Sequence, residues 1–325
     1  MHPVRFGLFL LPNTIKEATD AAIKAESQGF YSVSVNDHFY SPLGDAHTPQ
    51  LECFIALTAM AMVTSKIQLV PAVIAASFRT PALLGKSTSC IDIASEGRFI
   101  CGLGAGWQNS EYHAHDYPFP PLKERLEQLD ETIQVIKAMW TEESPAFKGK
   151  HFEVYDAFNN PRPVQKPHPP IMLGGSGTGL LKIAAREATT LNIIPPTSNG
   201  KDFPNDPIAT VKFTEDVLKQ RVALLHECMQ AEGRDPSEME LGGLALLGLS
   251  KDQNDSSLRE MASNLGFSDY EAAQRAPVAL LGTPEQVRDE IKRRVEETGV
   301  TYFIMLASSE ETQDLFVSEV MPHFD

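Results

Sequence analysis

Cysteine is scarce in this sequence. The four thiols, Cys53, Cys90, Cys101 and Cys228, are far apart and form no C-x-x-C pair. That spacing argues against a disulfide framework or a thiolate zinc site and reads as free thiols of a reducing, cytoplasmic compartment. Long apolar runs are missing too. The longest candidate, residues 60–76, is cut by Lys66 and Pro71, so no membrane span is expected. The opening RFGLFLLP is broken by Pro12 and Lys16 too early for a signal peptide. Positive charge is in deficit, with 28 Lys and Arg against 43 Asp and Glu and a net charge of −15. Such a surface repels phosphate backbones and anionic membranes, so the expected partner is a small molecule, with no nucleic acid and no membrane.

Several motifs are also lacking. No G-x-G-x-x-G follows the first strand, which disfavours a dinucleotide-binding half. There is no G-x-S-x-G elbow for a serine hydrolase and no G-K-[ST] ending for a P-loop. His113 and His115 have no evident third ligand, so no metal is expected.

What is there is an alternation of short apolar runs with helical patterns. Strands are expected at 4–11, 31–35, 67–74, 98–104, 171–174, 191–194, 239–247 and 301–306. Helices fill the gaps. In the clearest, Leu122, Leu126, Leu129, Ile133, Ile136 and Trp140 recur every three or four residues and mark one buried face. Another begins at GTPEQV, where Thr283 suits an N-cap, Pro284 the first turn and Gln286 a capping box. Eight strand–helix repeats point to a single α/β domain over residues 1–325, a (β/α)8 TIM barrel, with a doubly wound sheet as the alternative. Two stretches interrupt the rhythm. Residues 141–170 read as a hairpin insertion. Residues 195–207, rich in turn formers and directly after a strand, read either as a lid over the active-site face or as a plain surface loop.

Chemistry concentrates at three strand ends. YSVSVNDHFYSP, residues 31–42, alternates like a strand and then delivers Asn36, Asp37 and His38 together. In a barrel these would project into the mouth, where an imidazole can exchange protons near neutral pH and an adjacent carboxylate can steer it or bind a cofactor. The competing reading has Asp37 capping a turn and His38 packing on Phe39. GLGAGWQNSEY places Gly102, Gly104 and Gly106 where backbone must approach something closely, with Trp107 beside them as a wall for a ring or as simple packing. IMLGGSGTGLLKIAAREA runs a strand through Gly174, Gly175, Ser176, Gly177, Thr178 and Gly179 into a helix, a natural seat for a phosphate, or a bland tight turn.

Taken together, RFGLFLLPN, VNDHFYSP, SFRTPALLGKSTSCIDIASEGRFICGLGAGW, RLEQLDETIQVIKAMW, RPVQKPHPPIMLGG and LGTPEQVRDEI resemble the bacterial luciferase-like superfamily. The likeness runs in order over nearly the whole chain and is nearest to the branch of F420-dependent oxidoreductases. It implies a (β/α)8 barrel with insertions, a homodimer, and F420 or FMN in the barrel mouth with its phosphate near the fifth strand. It further implies that His38 is the catalytic residue beside the deazaflavin ring and that Asp37 contacts the cofactor. Ala72 and Val73 fall where members carry a bulge with a non-prolyl cis peptide supporting the ring. Ala105 and Gly106 match the loop beside the cofactor, and Gly174, Gly175, Ser176 and Gly177 the phosphate turn. Trp107 and Glu111 are then expected in the substrate pocket.

Departures shape the expected function. Trp107 stands where the sugar-phosphate dehydrogenase branch has a Glu, and NIIPP lacks that branch's Lys, so a sugar phosphate is not the expected substrate. GGSGTGL partly echoes the AGxSxxG turn of the FMN monooxygenases, and Ala188-Thr189 replaces a common AD pair. The reading is an F420-dependent enzyme moving hydride to or from a small organic substrate. Its alternative is a reduced-FMN monooxygenase, supplied by a separate flavin or F420 reductase. A non-catalytic flavin-binding protein is the contrasting class.

Overall fold

The computed structural model describes residues 2–42, 45–196 and 206–324. Along the chain run β1 (Arg5–Phe9), α1 (Ile15–Ser27), β2 (Ser32–Val35), α2 (Cys53–Ala61), β3 (Gln68–Pro71), β4 (Ile74–Ala75), α3 (Pro81–Ala94) and β5 (Cys101–Gly104). Next come α4 (Asn109–Ala114), α5 (Leu122–Thr141), a hairpin of β6 (Phe147–Lys148) and β7 (Glu153–Val154), β8 (Ile171–Gly174), α6 (Thr178–Glu187) and β9 (Thr190–Asn192). The rest holds α7 (Pro207–Lys212), α8 (Glu215–Ala231), β10 (Glu240–Leu249), α9 (Ser256–Asn264), α10 (Tyr270–Arg275), β11 (Ala279–Gly282), α11 (Pro284–Thr298), β12 (Val300–Ala307) and α12 (Glu310–Glu319). The chain groups into two compact units. The first is Leu10–Gly174 with Glu187–Thr189, and the second is Met1–Phe9, Gly175–Arg186 and Thr190–Asp325.

In the first unit the main strands pair in parallel: Val33 opposite Leu69, Ile74 opposite Leu103, and Leu103 opposite Leu173. Strands covered on both faces need apolar residues on both, which is why they read as short continuous runs. Thr80 caps α3 and Pro81 opens it, so the chain leaving β4 turns sharply into a helix. The stripe expected on α5 is buried from Leu129 to Trp140, but its first turn is not, since Leu122 is 57% exposed. The insertion is a hairpin, as expected, and carboxylates of the underlying helices pin it. Glu131 of α5 accepts the N–H groups of Lys150, His151 and Phe152 at 2.7, 2.8 and 2.9 Å. Asp92 of α3 accepts those of Val164 and Gln165 at 2.6 and 3.1 Å.

In the second unit β10 pairs in parallel with β9, β11 and β12, and β1 pairs with β12. The expected strands all form here within a few residues of their bounds, but β11 is an addition. Its ALLG core is short, unalternating and runs straight into the capping box, so periodicity does not reveal it. That capping box forms, with the Gln286 side chain accepting the Thr283 N–H at 2.9 Å. Of the expected lid, residues 197–205 lie outside the described residues. Its end is helical instead: Asp206 caps α7 by accepting the Ala209 N–H at 3.0 Å, and Pro207 is the first helical residue.

Among the described residues, no helix is long and apolar enough to cross a membrane.

Candidate active site

β2 releases Asn36, Asp37 and His38 at its C-terminal end, and all three side chains are tied down at once. Asn36 is buried and accepts from Gln50 Nε2 at 2.8 Å. Asp37, 5% exposed, meets the guanidinium of Arg79 fork to fork, with Nη1 donating to Oδ2 at 2.7 Å and Nη2 to Oδ1 at 2.9 Å. The Ala75 N–H adds a third bond to Oδ2 at 3.0 Å. Arg79 is itself locked. It donates to Glu52, the N-cap of α2, and lies 4.0 Å over the ring of Phe54. Burial pushes the Asp37 carboxyl upward, against the pull of Arg79 and the Ala75 amide. Burial also disfavours the charged guanidinium, but the bonds to Asp37 and Glu52 outweigh it and hold Arg79 above its ordinary value. A cation that never titrates in the working range makes this pair a clamp. Through the Ala75 amide it fixes the chain just past β3.

His38 has a different partner. Its Nδ1 lies 2.7 Å from Oε2 of Glu111, whose side chain is fully buried. The other carboxylate oxygen accepts the Phe39 N–H. The imidazole stands edge-on to Trp107, with centroids 5.4 Å apart and planes at 71°. Nε2 makes no hydrogen bond to any described residue, and the side chain keeps 13% of its surface open. The alternative in which His38 merely packs on Phe39 does not hold: Phe39 stacks instead on His115, 4.3 Å away. Glu111 was expected to line the substrate pocket; its carboxylate stands behind the imidazole, with both oxygens engaged.

The bulge between β3 and β4 carries a cis peptide between Ala72 and Val73, where the resemblance places one. The Val73 side chain explains two glycines nearby. A Cβ on Gly104 would come 2.7 Å from Val73 Cγ2, and one on Gly174 would come 2.9 Å from Val73 Cγ1. Those positions are bare so that Val73 can seat against the ends of β5 and β8. Gly102 is bare for a similar reason, since a Cβ there would strike the Pro71 carbonyl at 2.0 Å. After β5 the chain turns at Gly106, whose φ of +75° suits glycine, and a Cβ there would fall 1.8 Å from Tyr112 Oη. Tyr112 is buried and shares a 2.6 Å hydrogen bond with Ser77 Oγ. Burial pushes its hydroxyl up to about 12, so it stays neutral. Ala105, Gly106 and Trp107 are half-buried, and the Trp107 ring lies against His38.

The strand-to-helix turn at 174–179 joins β8 to α6. Gly175 takes φ +140° and donates its N–H to Asn192 O at 2.9 Å, while Ser176 is buried. Gly177, Thr178 and Gly179 are exposed, and their N–H groups donate to no described residue. They open α6, where the helix dipole adds partial positive charge.

Sequence reasoning does not single out Arg79, or the pairing of Ser77 with Tyr112. Their partners lie 42 and 35 residues away, a separation that no local pattern encodes. The one available hint was a cation in SFRTP next to a helix cap.

The parallel strand–helix repeats define an α/β enzyme scaffold, and comparison with known proteins identifies which one. The profile of the luciferase-like monooxygenase family matches residues 2–202, and the chain belongs to that family. Over its full length the structure superposes on the coenzyme F420-dependent tetrahydromethanopterin reductase of Methanopyrus kandleri, with a TM-score of 0.79, 20% identity and 100% of both chains covered. That likeness shows the fold, a luciferase-like TIM barrel. An F420-dependent glucose-6-phosphate dehydrogenase of Kineococcus radiotolerans is 34% identical over 223 residues, covering 68% of this chain and 60% of that enzyme. An FMNH2-dependent dimethylsulfone monooxygenase of Pseudomonas putida is 30% identical over 128 residues, 39% of this chain and 35% of that one. The chain thus spans less than two thirds of the length of the last two relatives.

Proposed function

We propose that this chain is an F420-dependent oxidoreductase that moves a hydride to or from a small organic substrate, with His38 handling the accompanying proton. The observation that carries the reading is the His38 ring: anchored through Nδ1, walled by Trp107, and with Nε2 making no hydrogen bond to any described residue. The residues present suit a flat cofactor. Val73 sits on two bare strand ends, and the half-buried 105–107 backbone carries no bulky side chain before Trp107. Ala72, Val73, Ala105 and Gly106 would hold the ring. Asp37 would serve it from behind, since its oxygens are taken by Arg79 and Ala75. The free amides at Gly177, Thr178 and Gly179, with Gly174, Gly175 and Ser176, would take the phosphate.

When bound, F420 supplies a carbon that accepts or releases hydride. His38 then takes the hydroxyl proton at Nε2 as an alcohol becomes a carbonyl, or returns it in the reverse direction. Trp107 presents an apolar ring beside His38, which favours an apolar substrate face. Titrating the protein with F420 and with FMN, side by side, tests the reading. Tight F420 binding with weak FMN binding is expected, and the reverse preference overturns it in favour of the second reading, a reduced-FMN monooxygenase served by a separate reductase. The family's name and the dimethylsulfone monooxygenase relative favour that second reading.

A homodimer belongs to the same proposal. α2, CFIALTAMA, is apolar on every side, and such a helix is normally covered all round. Yet Ile55 is 62% exposed and Met62, its C-cap, 70%, with Leu83 of α3 at 55%. A second copy would cover this face.

A further inference from the structure

The His38–Glu111 contact has two possible proton arrangements, and they make opposite predictions. If Glu111 held the proton, it would donate to a bare Nδ1, and Nε2 would carry the only N–H of a neutral ring. If the ring held it, Nδ1–H would donate to a carboxylate, and Nε2 would present a lone pair.

The surroundings decide between them. Glu111 is fully buried; the Phe39 amide donates to Oε1, and Oε2 lies 2.7 Å from His38 Nδ1. An ionised carboxylate accepts both bonds, and bonds to an ionised acceptor are about twice as strong as neutral ones. We infer that Glu111 is a positioning residue: its buried carboxylate holds His38 in the Nδ1–H form and leaves Nε2 as the proton-accepting atom. This rests on the proposed role of His38 only for its catalytic consequence; the tautomer is a property of the chain alone. A carboxylate behind an imidazole also stabilises the imidazolium formed once Nε2 takes a proton, the same logic by which a buried acid serves a catalytic histidine elsewhere.

The arrangement is legible in the sequence only afterwards. His38 leaves β2 and Glu111 lies in the first turn of α4, 73 residues on. α4 is placed by the glycine turn at 104–106 and by Tyr112, whose buried ring packs with Ala75 and Phe78. The segment that brings Trp107 to the His38 ring also brings Glu111 behind it.

The test uses the full chain without cofactor, labelled with 15N at histidine, and reads two-bond ring correlations by NMR at neutral to mildly alkaline pH. A His38→Asn sample assigns the signal. The expected result is an Nδ1–H ring with a bare Nε2 in the wild type. In Glu111→Gln, whose amide can accept or donate at Nδ1, a mixture of the two tautomers is expected, at a melting temperature that shows the chain still folded. A wild-type ring protonated at Nε2 with a bare Nδ1 overturns the inference. So does a Glu111→Gln ring that keeps the pure Nδ1–H form. Failure of the protein to bind F420 or FMN would sink the proposed function and leave this result standing, because no cofactor enters the measurement. If Glu111→Gln does not fold, the wild-type tautomer alone decides.

Discussion

Asp37 and His38 are neighbours in sequence, both leave the same strand end, and each pairs with an oppositely charged or chargeable side chain. They nonetheless do different work. Asp37 meets Arg79, a guanidinium that stays charged across the whole working range, and the pair is saturated by the Ala75 amide and by Glu52. Nothing in it can move a proton, so its contribution is to hold the bulge between β3 and β4 in place. His38 meets a carboxylate through one nitrogen, and the other makes no hydrogen bond to any described residue. That pair can change charge in service, which is what proton transfer needs. One dipeptide thus supplies a fixed strut and, on the proposed reading, a proton carrier, and the partner decides which is which.

The largest expected effect breaks the strut. Arg79→Met leaves the Asp37 carboxylate buried beside a thioether, and losing one partner of such a pair costs about 3–5 kcal/mol. Urea denaturation should show that loss. The double variant Arg79→Met with Asp37→Asn should recover part of it, because no charge is then stranded. If Arg79→Met alone unfolds at the wild-type urea concentration, the clamp is decorative.

A smaller effect is expected at Gly106. Alanine there must adopt φ +75° and displace the Tyr112 hydroxyl, for a loss of about 1–3 kcal/mol. Pairing it with Tyr112→Phe separates the two causes. Removing the hydroxyl relieves the clash and leaves the backbone strain, so the double variant should lose less than Gly106→Ala does in the wild-type background.

The smallest effect lies far from both pairs and sets a scale for carboxylates that merely support structure. Burial alone would raise the Glu26 carboxyl, but the N–H groups of Ile67, Lys66 and Ser65 outweigh it and lower it to about 2. A folded value below the unfolded one gives stability that is present above pH about 4.5 and is lost as pH falls toward 2. Glu26→Gln should therefore lower stability at neutral pH, where the ionised carboxylate contributes, and flatten the fall in stability across that window. An unchanged acid profile would remove Glu26 from the account.

How much of this was legible in the sequence follows the range of each interaction. The α5 stripe, the capping box at Thr283 and the eight anticipated strands are local periodicities, and they formed nearly where expected. β11 escaped because four apolar residues abutting a helix cap carry no period. The chemical character of His38 could be read from its place after β2, but its partner could not. Glu111 lies 73 residues on, and nothing between 31 and 42 distinguishes an imidazole backed by a carboxylate from one packed on Phe39. Gly174 looked like part of a phosphate turn. The structure adds a steric reason, the Val73 side chain, which sequence spacing cannot express.

The central claim is that His38, through Nε2, carries the proton that accompanies hydride movement. His38→Asn tests it most directly, because the Asn amide can still donate to Glu111 where Nδ1 stood, while nothing replaces Nε2. The measurement is the rate at which the protein reduces F420, followed by loss of its fluorescence, with a panel of small primary and secondary alcohols. Cofactor affinity is measured alongside. The account predicts turnover lower by roughly 10²–10⁴ with F420 affinity within a few-fold of wild type, the usual worth of a positioned acid–base group. Wild-type turnover from His38→Asn would contradict it.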